Sequence, residues 1–272
     1  QGAEFPPSIT IGDTQLQVVD AFTYLGSTVT SSTSLDAEIS SRIAKAAGVM
    51  AKLNKRVWNN SLLSVRTKVC VYQACVLSTL LYGSESWTTY ARQERRLNGF
   101  HLRSLRRLLY IKWQDKVPNT EVLKRAGLMS IPSMLIQRRL RWLGHVHRME
   151  TQRLPREILY GELRDGARRV GRPLLRFKDS IKRDLKAAFI NATSWEDTAA
   201  DRVTWRHSVK AGALRAEKDG RVQATLKRAA RKQRAASARA PSTYVCSNCM
   251  RDCHSRIGLH SHARSCPAHP VC

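Results

Sequence analysis

Four metal-ligand residues near the carboxy-terminal end constrain this sequence more than any other feature. They follow the spacing Cys-x2-Cys-x12-His-x3-Cys and are Cys246, Cys249, His262 and Cys266. A short Cys-x2-Cys turn, followed by a His and a Cys one helical turn apart, can place nitrogen and sulfur donors tetrahedrally around zinc. We therefore predict that residues 241–272 form a small zinc finger around a structural Zn²⁺ ion.

Cys253 leaves this ligand set open at one point, since it is either a small core residue of the finger or a competing ligand. The helix positions that would face a DNA groove offer few side chains for paired hydrogen bonds to a base. These positions are Ser255, Ile257, Gly258 and Ser261. The pattern favours contact with the nucleic-acid backbone over base-specific reading.

The chain is strongly basic, with a formal net charge of +26. Almost all of the excess lies in residues 91–240, which hold 37 Lys and Arg against 14 Asp and Glu. Such a field attracts polyanions, which predicts RNA or DNA as the partner. The sequence has neither an apolar run of membrane-spanning length nor a signal-peptide pattern. We therefore expect an intracellular, nuclear protein without a membrane partner.

Arginines in three segments are candidate phosphate ligands, because the planar guanidinium can donate two hydrogen bonds to one phosphate. The alternative is a solvated basic face. The candidates are Arg92, Arg95, Arg96, Arg103, Arg106 and Arg107 in one predicted helix, Arg138, Arg139 and Arg141 in a second, and Arg168, Arg169, Arg172 and Arg176 in and after a glycine-punctuated loop.

Hydrophobic periodicity predicts a mainly α fold with a short N-terminal β-hairpin, a helical bundle and the small terminal zinc finger. Alternating residues around Gly12 indicate the hairpin, and strand content is expected to end near Gly26. Capping residues predict helix starts at Thr33, Asn119, Ser130 and Ser194, and periodicity predicts an almost wholly apolar helix from about Ser64 to Gly83. We divide the chain at residues 1–30, 31–111, 112–212, 213–240 and 241–272, and expect residues 213–240 to be an exposed helix or a flexible basic linker.

Several strings together resemble one family, the polyprotein of LINE-type non-LTR retrotransposons, in its part downstream of the polymerase active site. The strings are FTYLGS (22–27), LYGSESW (81–87), RLRWLGHVHRM (139–149), GRP (171–173) with Arg176 and Asp179, and the terminal Cys-Cys-His-Cys finger.

This resemblance implies a palm-edge hairpin at residues 1–30, with Phe22, Tyr24, Leu25 and Gly26 in a primer-grip-like position. Residues 31–111 would then form a thumb-like helical domain, and residues 112–212 a basic helical linker domain. Family members use such parts to bind template RNA and target DNA. The palm and endonuclease parts of the polyprotein would be further partners.

The sequence departs from the family at the carboxylates that catalyse the polymerase reaction. Nucleotidyl transfer by two metal ions needs closely placed carboxylates, and the chain holds neither Tyr-x-Asp-Asp nor an Asp-Asp pair. We expect the chain alone to be no enzyme, although the full-length family is an RNA-directed DNA polymerase. The leading interpretation is a nucleic-acid-binding carboxy-terminal fragment of a reverse transcriptase. The alternatives are a domesticated stand-alone zinc-finger regulator of DNA or RNA, and a subunit that needs a palm from another chain.

Overall fold

A computed structural model describes residues 9–161, 175–236 and 243–266. It is mainly helical, which confirms the predicted fold class. The chain divides into two compact units, Gln1–Arg221 and Val222–Cys272. The elements are β1 (Thr10–Ile11), β2 (Thr14–Gln15), β3 (Ala21–Tyr24), β4 (Ser27–Thr30), α1 (Asp36–Lys52), a π-helical turn (Asn54–Trp58), α2 (Val65–Val71), a second π-helical turn (Tyr72–Leu77), α3 (Ser78–Leu80), α4 (Ala91–Leu108), a 3₁₀ turn (Trp113–Asp115), α5 (Asn119–Ala126), α6 (Ile131–His147), α7 (Leu154–Tyr160), α8 (Phe177–Ala187), α9 (Trp195–Ala200), α10 (Arg202–Ala236) and α11 (Arg256–Ala263).

Two antiparallel hairpins open the described chain. The predicted one pairs β1 with β2 around Gly12. The expectation that strand content ends near Gly26 is wrong, because the chain reverses there and returns as β4, paired with β3. Leu25 and Gly26 make this reversal with φ angles of 47° and 82°. A left-handed pair is what a two-residue hairpin turn requires, and glycine adopts it readily.

Helix caps agree with the sequence signals in part. Ser64 caps α2, since its Oγ accepts a hydrogen bond from the backbone N–H of Thr67 at 3.1 Å. Thr33 does not cap α1. It has a φ of 53°, and the helix begins at Asp36, whose N–H donates to Ser34 Oγ at 3.3 Å.

The three predicted caps further along the chain also agree with the structure only in part. Ser130 and Ser194 are the N-cap residues of α6 and α9, as predicted, although neither side chain bonds the backbone of its own helix. Pro118 takes the N-cap expected of Asn119, because its extended backbone leads directly into the first turn of α5.

The first hydrophobic core lies among α1, α2 to α3, α4, α5 and the start of α6. The apolar helix predicted from Ser64 to Gly83 runs through its centre and is completely buried at Tyr72, Val76 and Leu80. The same core continues past residue 111, where the sequence suggested a domain boundary, to Leu135 in α6.

A second core joins the rest of α6 to α8, α9 and α10. Its largest side chain is Trp205, which is 1% exposed and whose Nε1 donates to the carbonyl oxygen of Leu140 at 2.9 Å. Because α6 supplies residues to both cores, it links the helices of the first core to those of the second.

In the second unit, α10 continues as a helix to Ala236, with exposed side chains from Val222 to Arg234. Of the two states predicted for residues 213–240, the described part (213–236) is a helix, which is exposed from Val222 to Arg234, whereas Ala213 and Glu217 nearer its start are buried. A small module follows, with an isolated β-bridge between Val245 and Asp252, and then α11. Over the described ranges, no helix has the length and apolarity that a membrane crossing needs.

Candidate metal centre and basic cleft

The four predicted ligands come together in the small module of the second unit. The ligand atoms of Cys246, Cys249, His262 and Cys266 all lie within 4.8 Å of one another. The Sγ atoms of Cys246 and Cys266 are 3.9 Å apart, and Cys249 Sγ is 3.1 Å from His262 Nε2. Sulfur atoms on a zinc tetrahedron lie roughly 3.8 Å apart, given a Zn–S distance of about 2.3 Å. The cluster can therefore hold a metal ion of that size.

The backbone of the turn between Cys246 and Cys249 favours the thiolate form of Cys246. Hydrogen bonds from the backbone N–H groups of Cys249 and Asn248 lower the pKa of Cys246 to about 6. Thiolates are the form in which cysteines bind metals. Cys253 behaves differently, since burial raises the pKa of its thiol and it does not belong to the cluster. The structure therefore leaves Cys253 outside the set of four candidate ligands, with a half-buried side chain that belongs to neither hydrophobic core.

Local packing places His262 on the same side as the Cys-x2-Cys turn. Ser255 caps α11 by accepting a hydrogen bond from Gly258 N at 3.0 Å. A Cβ on Gly258 would lie 2.3 Å from the carbonyl oxygen of Cys253. Glycine is therefore needed where the helix passes the preceding turn.

The second candidate site is a cleft of about 820 Å³ in the first unit. We call it the basic cleft, and its arginines are Arg138, Arg141, Arg148, Arg202 and Arg206. The first three lie on α6 and its C-cap, and the last two on the first turns of α10. Glu85 is the one acidic residue among the described residues that line the cleft.

Two of these arginines are held in place by the protein. Arg138 donates to the carbonyl oxygen of Leu81 at 3.2 Å and lies 3.7 Å from Glu85, and Arg148 donates to the carbonyl oxygen of Ala199 at 2.5 Å. Burial is the main cause that lowers the pKa of Arg138, and the charge of Arg141 adds to the shift against that of Glu85.

The other three arginines are uncompensated. Within the described ranges, the guanidinium groups of Arg141, Arg202 and Arg206 make no hydrogen bond or ion pair. The five guanidiniums face one lining carboxylate, that of Glu85, and the charge of Asp201 acts on Arg148 from outside the lining. The remaining like charges repel one another, and a bound anion would relieve that repulsion. The described lining of the cleft therefore carries an excess of positive charge, which favours an anionic ligand.

Sequence reasoning identified Arg138 and Arg141 but missed Arg148, Arg202 and Arg206. A signal was present for part of the set, because Arg141 and Arg148 are seven residues apart and so share a face of α6. Nothing in the sequence indicated that the start of α10 would lie beside that face.

Arg139 is a correction to the predicted phosphate ligands. Its side chain is 1% exposed and forms a two-pronged ion pair with Asp184 of α8, with distances of 2.6 and 3.0 Å. It also donates to Thr89 Oγ1 at 3.0 Å. The pair lies within the protein because neighbouring apolar residues of α6 direct this face of the helix into the core, so Arg139 has no access to a ligand.

The six candidate arginines of α4 are spread along its outer side, and four of them bond side chains of other elements, while Arg95 donates to the carbonyl oxygen of Ala91 in its own helix at 3.2 Å. Arg92 and Arg96 pair with Asp36 of α1, and the side-chain oxygens of two asparagines accept from Arg106 and Arg107. The remaining two, Arg95 and Arg103, are exposed. Whether any of the six contacts phosphate stays a prediction.

Of the four arginines predicted in and after the glycine-punctuated loop, only one lies within the residues that the structure describes. Arg168, Arg169 and Arg172 lie outside the described residues. Arg176 precedes α8 and pairs with Asp179 at 3.4 Å.

The primer-grip-like residues lie on the second hairpin, where Phe22, Tyr24 and Leu25 are exposed by 52%, 63% and 74%. The carbonyl oxygen of Gly26 accepts a hydrogen bond from Arg42, which is buried and paired with Glu38.

A similarity to one known protein bears on the origin of the chain. No protein-family model and no solved structure matches the chain. The chain is 27% identical over 199 residues to a Caenorhabditis elegans protein, and the match covers 71% of this chain and 71% of that protein. The relative is named as an uncharacterized transposon-derived protein, F52C9.6. The similarity is consistent with a transposon origin for this chain.

Proposed function

We propose that this chain is a nucleic-acid-binding, carboxy-terminal part of a LINE-type non-LTR retrotransposon reverse transcriptase. The observation that carries the proposal is the convergence of Arg141, Arg202 and Arg206, without protein partners among the described residues, on one cleft. Phosphate groups would supply the missing counter-charge. The transposon-derived name of the relative and the retrotransposon-like strings support the same reading.

The role proposed for the chain is binding, with template RNA or target DNA as the ligand. The polymerase chemistry of the family depends on paired carboxylates, and the sequence holds no Asp-Asp pair. We assign the first unit to gripping the phosphate backbone. The exposed basic part of α10 in the second unit would add contacts that do not depend on sequence.

We further propose that the Cys-Cys-His-Cys cluster holds a structural Zn²⁺ ion. Three sulfur donors and one imidazole form a closed, soft site, which suits zinc and leaves no position for a substrate. The ion would replace the hydrophobic core that so short a module lacks.

The test of the binding proposal is a salt titration of the full chain with single-stranded and duplex RNA and DNA. We expect the logarithm of the affinity to fall linearly with the logarithm of the salt concentration. The triple variant R141A/R202A/R206A should reduce that slope by about 2 to 3, given about 0.7 to 0.9 for each phosphate contact.

The variant K55A/R56A/R66A is the matched control, because it removes three exposed positive charges from elsewhere in the first unit. A control that loses as much affinity and slope as the cleft variant would refute the cleft as the site. Strong preference for one duplex sequence would instead support the stand-alone regulator.

A further inference from the structure

The basic cleft has apolar walls beneath its charged rim. Trp142, Leu77, Leu81, Met129 and Met134 line it together with the arginines. Trp142 is half-buried, and its ring centroid lies 5.3 Å from that of His145, which lines the same cleft. A site for phosphate alone would not need an aromatic and aliphatic wall.

Two side-chain amides add hydrogen-bonding capacity. Gln73 and Gln137 also line the cleft, and neither side chain makes a hydrogen bond with a described residue. An amide offers both a donor and an acceptor, which matches the edge of a nucleobase.

The size of the cleft limits what can enter. A volume of about 820 Å³ lies within the range of small-molecule sites, about 300–1,000 Å³. Paired bases in a duplex are stacked inside the helix and reach a pocket only when they are flipped out. Unpaired bases of a single strand are free to leave the stack.

We infer that the basic cleft binds an unpaired nucleotide of single-stranded RNA or DNA, with its base against Trp142 and its flanking phosphates on Arg141, Arg202 and Arg206. This inference rests on the proposed function and narrows its ligand class. Stacking of a base on an aromatic ring is tolerant of sequence, since every base has a π-face. The cleft would therefore select strandedness and not sequence.

The experiment compares three ligands of equal length by fluorescence anisotropy at one salt concentration: a single strand, a duplex, and a single strand that carries abasic sites. We expect the full chain to bind the single strand at least tenfold more tightly than the abasic strand, which keeps the phosphates and lacks the bases. Equal affinity for those two ligands would overturn the inference, and this comparison needs no mutation.

The matching variants are W142A and W142F, with W113A as the control, because Trp113 is 83% exposed and lies outside the cleft. We expect W142A to weaken single-strand binding about tenfold while duplex binding is retained, and W142F to recover most of the loss. Thermal melting of each variant checks that the fold is kept. Equal losses for single strand and duplex in a folded W142A protein would count against base stacking.

The two proposals fail in different ways. If the chain binds no nucleic acid, the proposed function is wrong and this inference falls with it. If it binds single strand, abasic strand and duplex equally, only the assignment of the unpaired base is overturned.

Discussion

The indole of Trp205 lies directly against the backbone of Gly144, so that a Cβ on residue 144 would be 2.1 Å from the indole nitrogen. The same nitrogen donates to the carbonyl oxygen of Leu140. This contact brings the start of α10 against α6. It thereby sets Arg202 and Arg206 beside the arginines of α6 in the basic cleft.

Replacement of Gly144 by alanine should destabilise the first unit and weaken nucleic-acid binding together. Overpacking of a buried contact costs about 1–3 kcal/mol, and the rigid indole cannot yield as a flexible side chain would. Urea unfolding measures the first effect and the salt titration the second. G99A is the matched control, because a Cβ on Gly99 of α4 meets no atom within 4 Å. It should leave both quantities unchanged or raise stability slightly.

Breaking the buried pair of Arg139 and Asp184 should lower stability without changing the salt dependence of binding. Removal of one partner leaves an unpaired buried charge, which costs about 3–5 kcal/mol. We expect R139A and D184A each to show this loss in urea unfolding. The double variant R139M/D184L should recover much of it, because neither charge remains. A fully stable R139A protein whose binding depends less steeply on salt would contradict this prediction and indicate that Arg139 contacts phosphate.

The finger should keep its metal when Cys253 is replaced and lose it when Cys249 is replaced. Cys253 lies outside the four-residue cluster, whereas Cys249 Sγ is one of its ligand atoms. Native mass spectrometry of the full chain should show one Zn²⁺ ion in C253S and none in C249S. C70S, a change at an exposed cysteine of the first unit, serves as the control. Loss of zinc from C253S would place that residue among the ligands.

Stability of the first unit should fall as the pH is lowered from about 6.5 towards 4, because of His101. Burial lowers the pKa of this imidazole to about 4, against an ordinary value of 6.5. Its Nδ1 lies 2.9 Å from the Tyr72 hydroxyl and its Nε2 lies 3.2 Å from the carbonyl oxygen of Met129. Glu217 is the charged group that acts on it and opposes the shift.

The direction of this change in stability follows from the linkage between proton binding and folding. Between pH 6.5 and 4 the unfolded chain binds a proton at His101 that the folded chain does not, so protonation favours unfolding. The full shift corresponds to about 3 kcal/mol. H101Q should flatten the stability profile between pH 6.5 and 5, above the range where the carboxylates titrate. An unchanged profile would show that His101 is not the group responsible.

The sequence predicted those features that depend on local spacing. The four clustered Cys and His residues lie within one short segment, and the helix start at Ser64 lies three residues before the backbone N–H of Thr67 that donates to its hydroxyl, so both could be predicted from the sequence. Arg139 could not be distinguished from Arg138 and Arg141, since its partner Asp184 is 45 residues away in another element. The return strand β4 was also missed, because its serine and threonine residues lack the apolar alternation of a half-buried strand. Half of the basic cleft depends on the packing of Trp205 against Gly144, a long-range contact that no local pattern encodes.

The position of α6 in two cores bears on how the first unit unfolds. Ile131 and Leu135 lie in the first core, and Leu140 and Leu143 in the second. A helix so shared cannot keep its place when either core is lost, which couples the two cores into one cooperative transition. A chain that ended before α8 would leave one side of α6 bare. Such a chain would expose the apolar side chains of Leu140 and Leu143, which the second core buries.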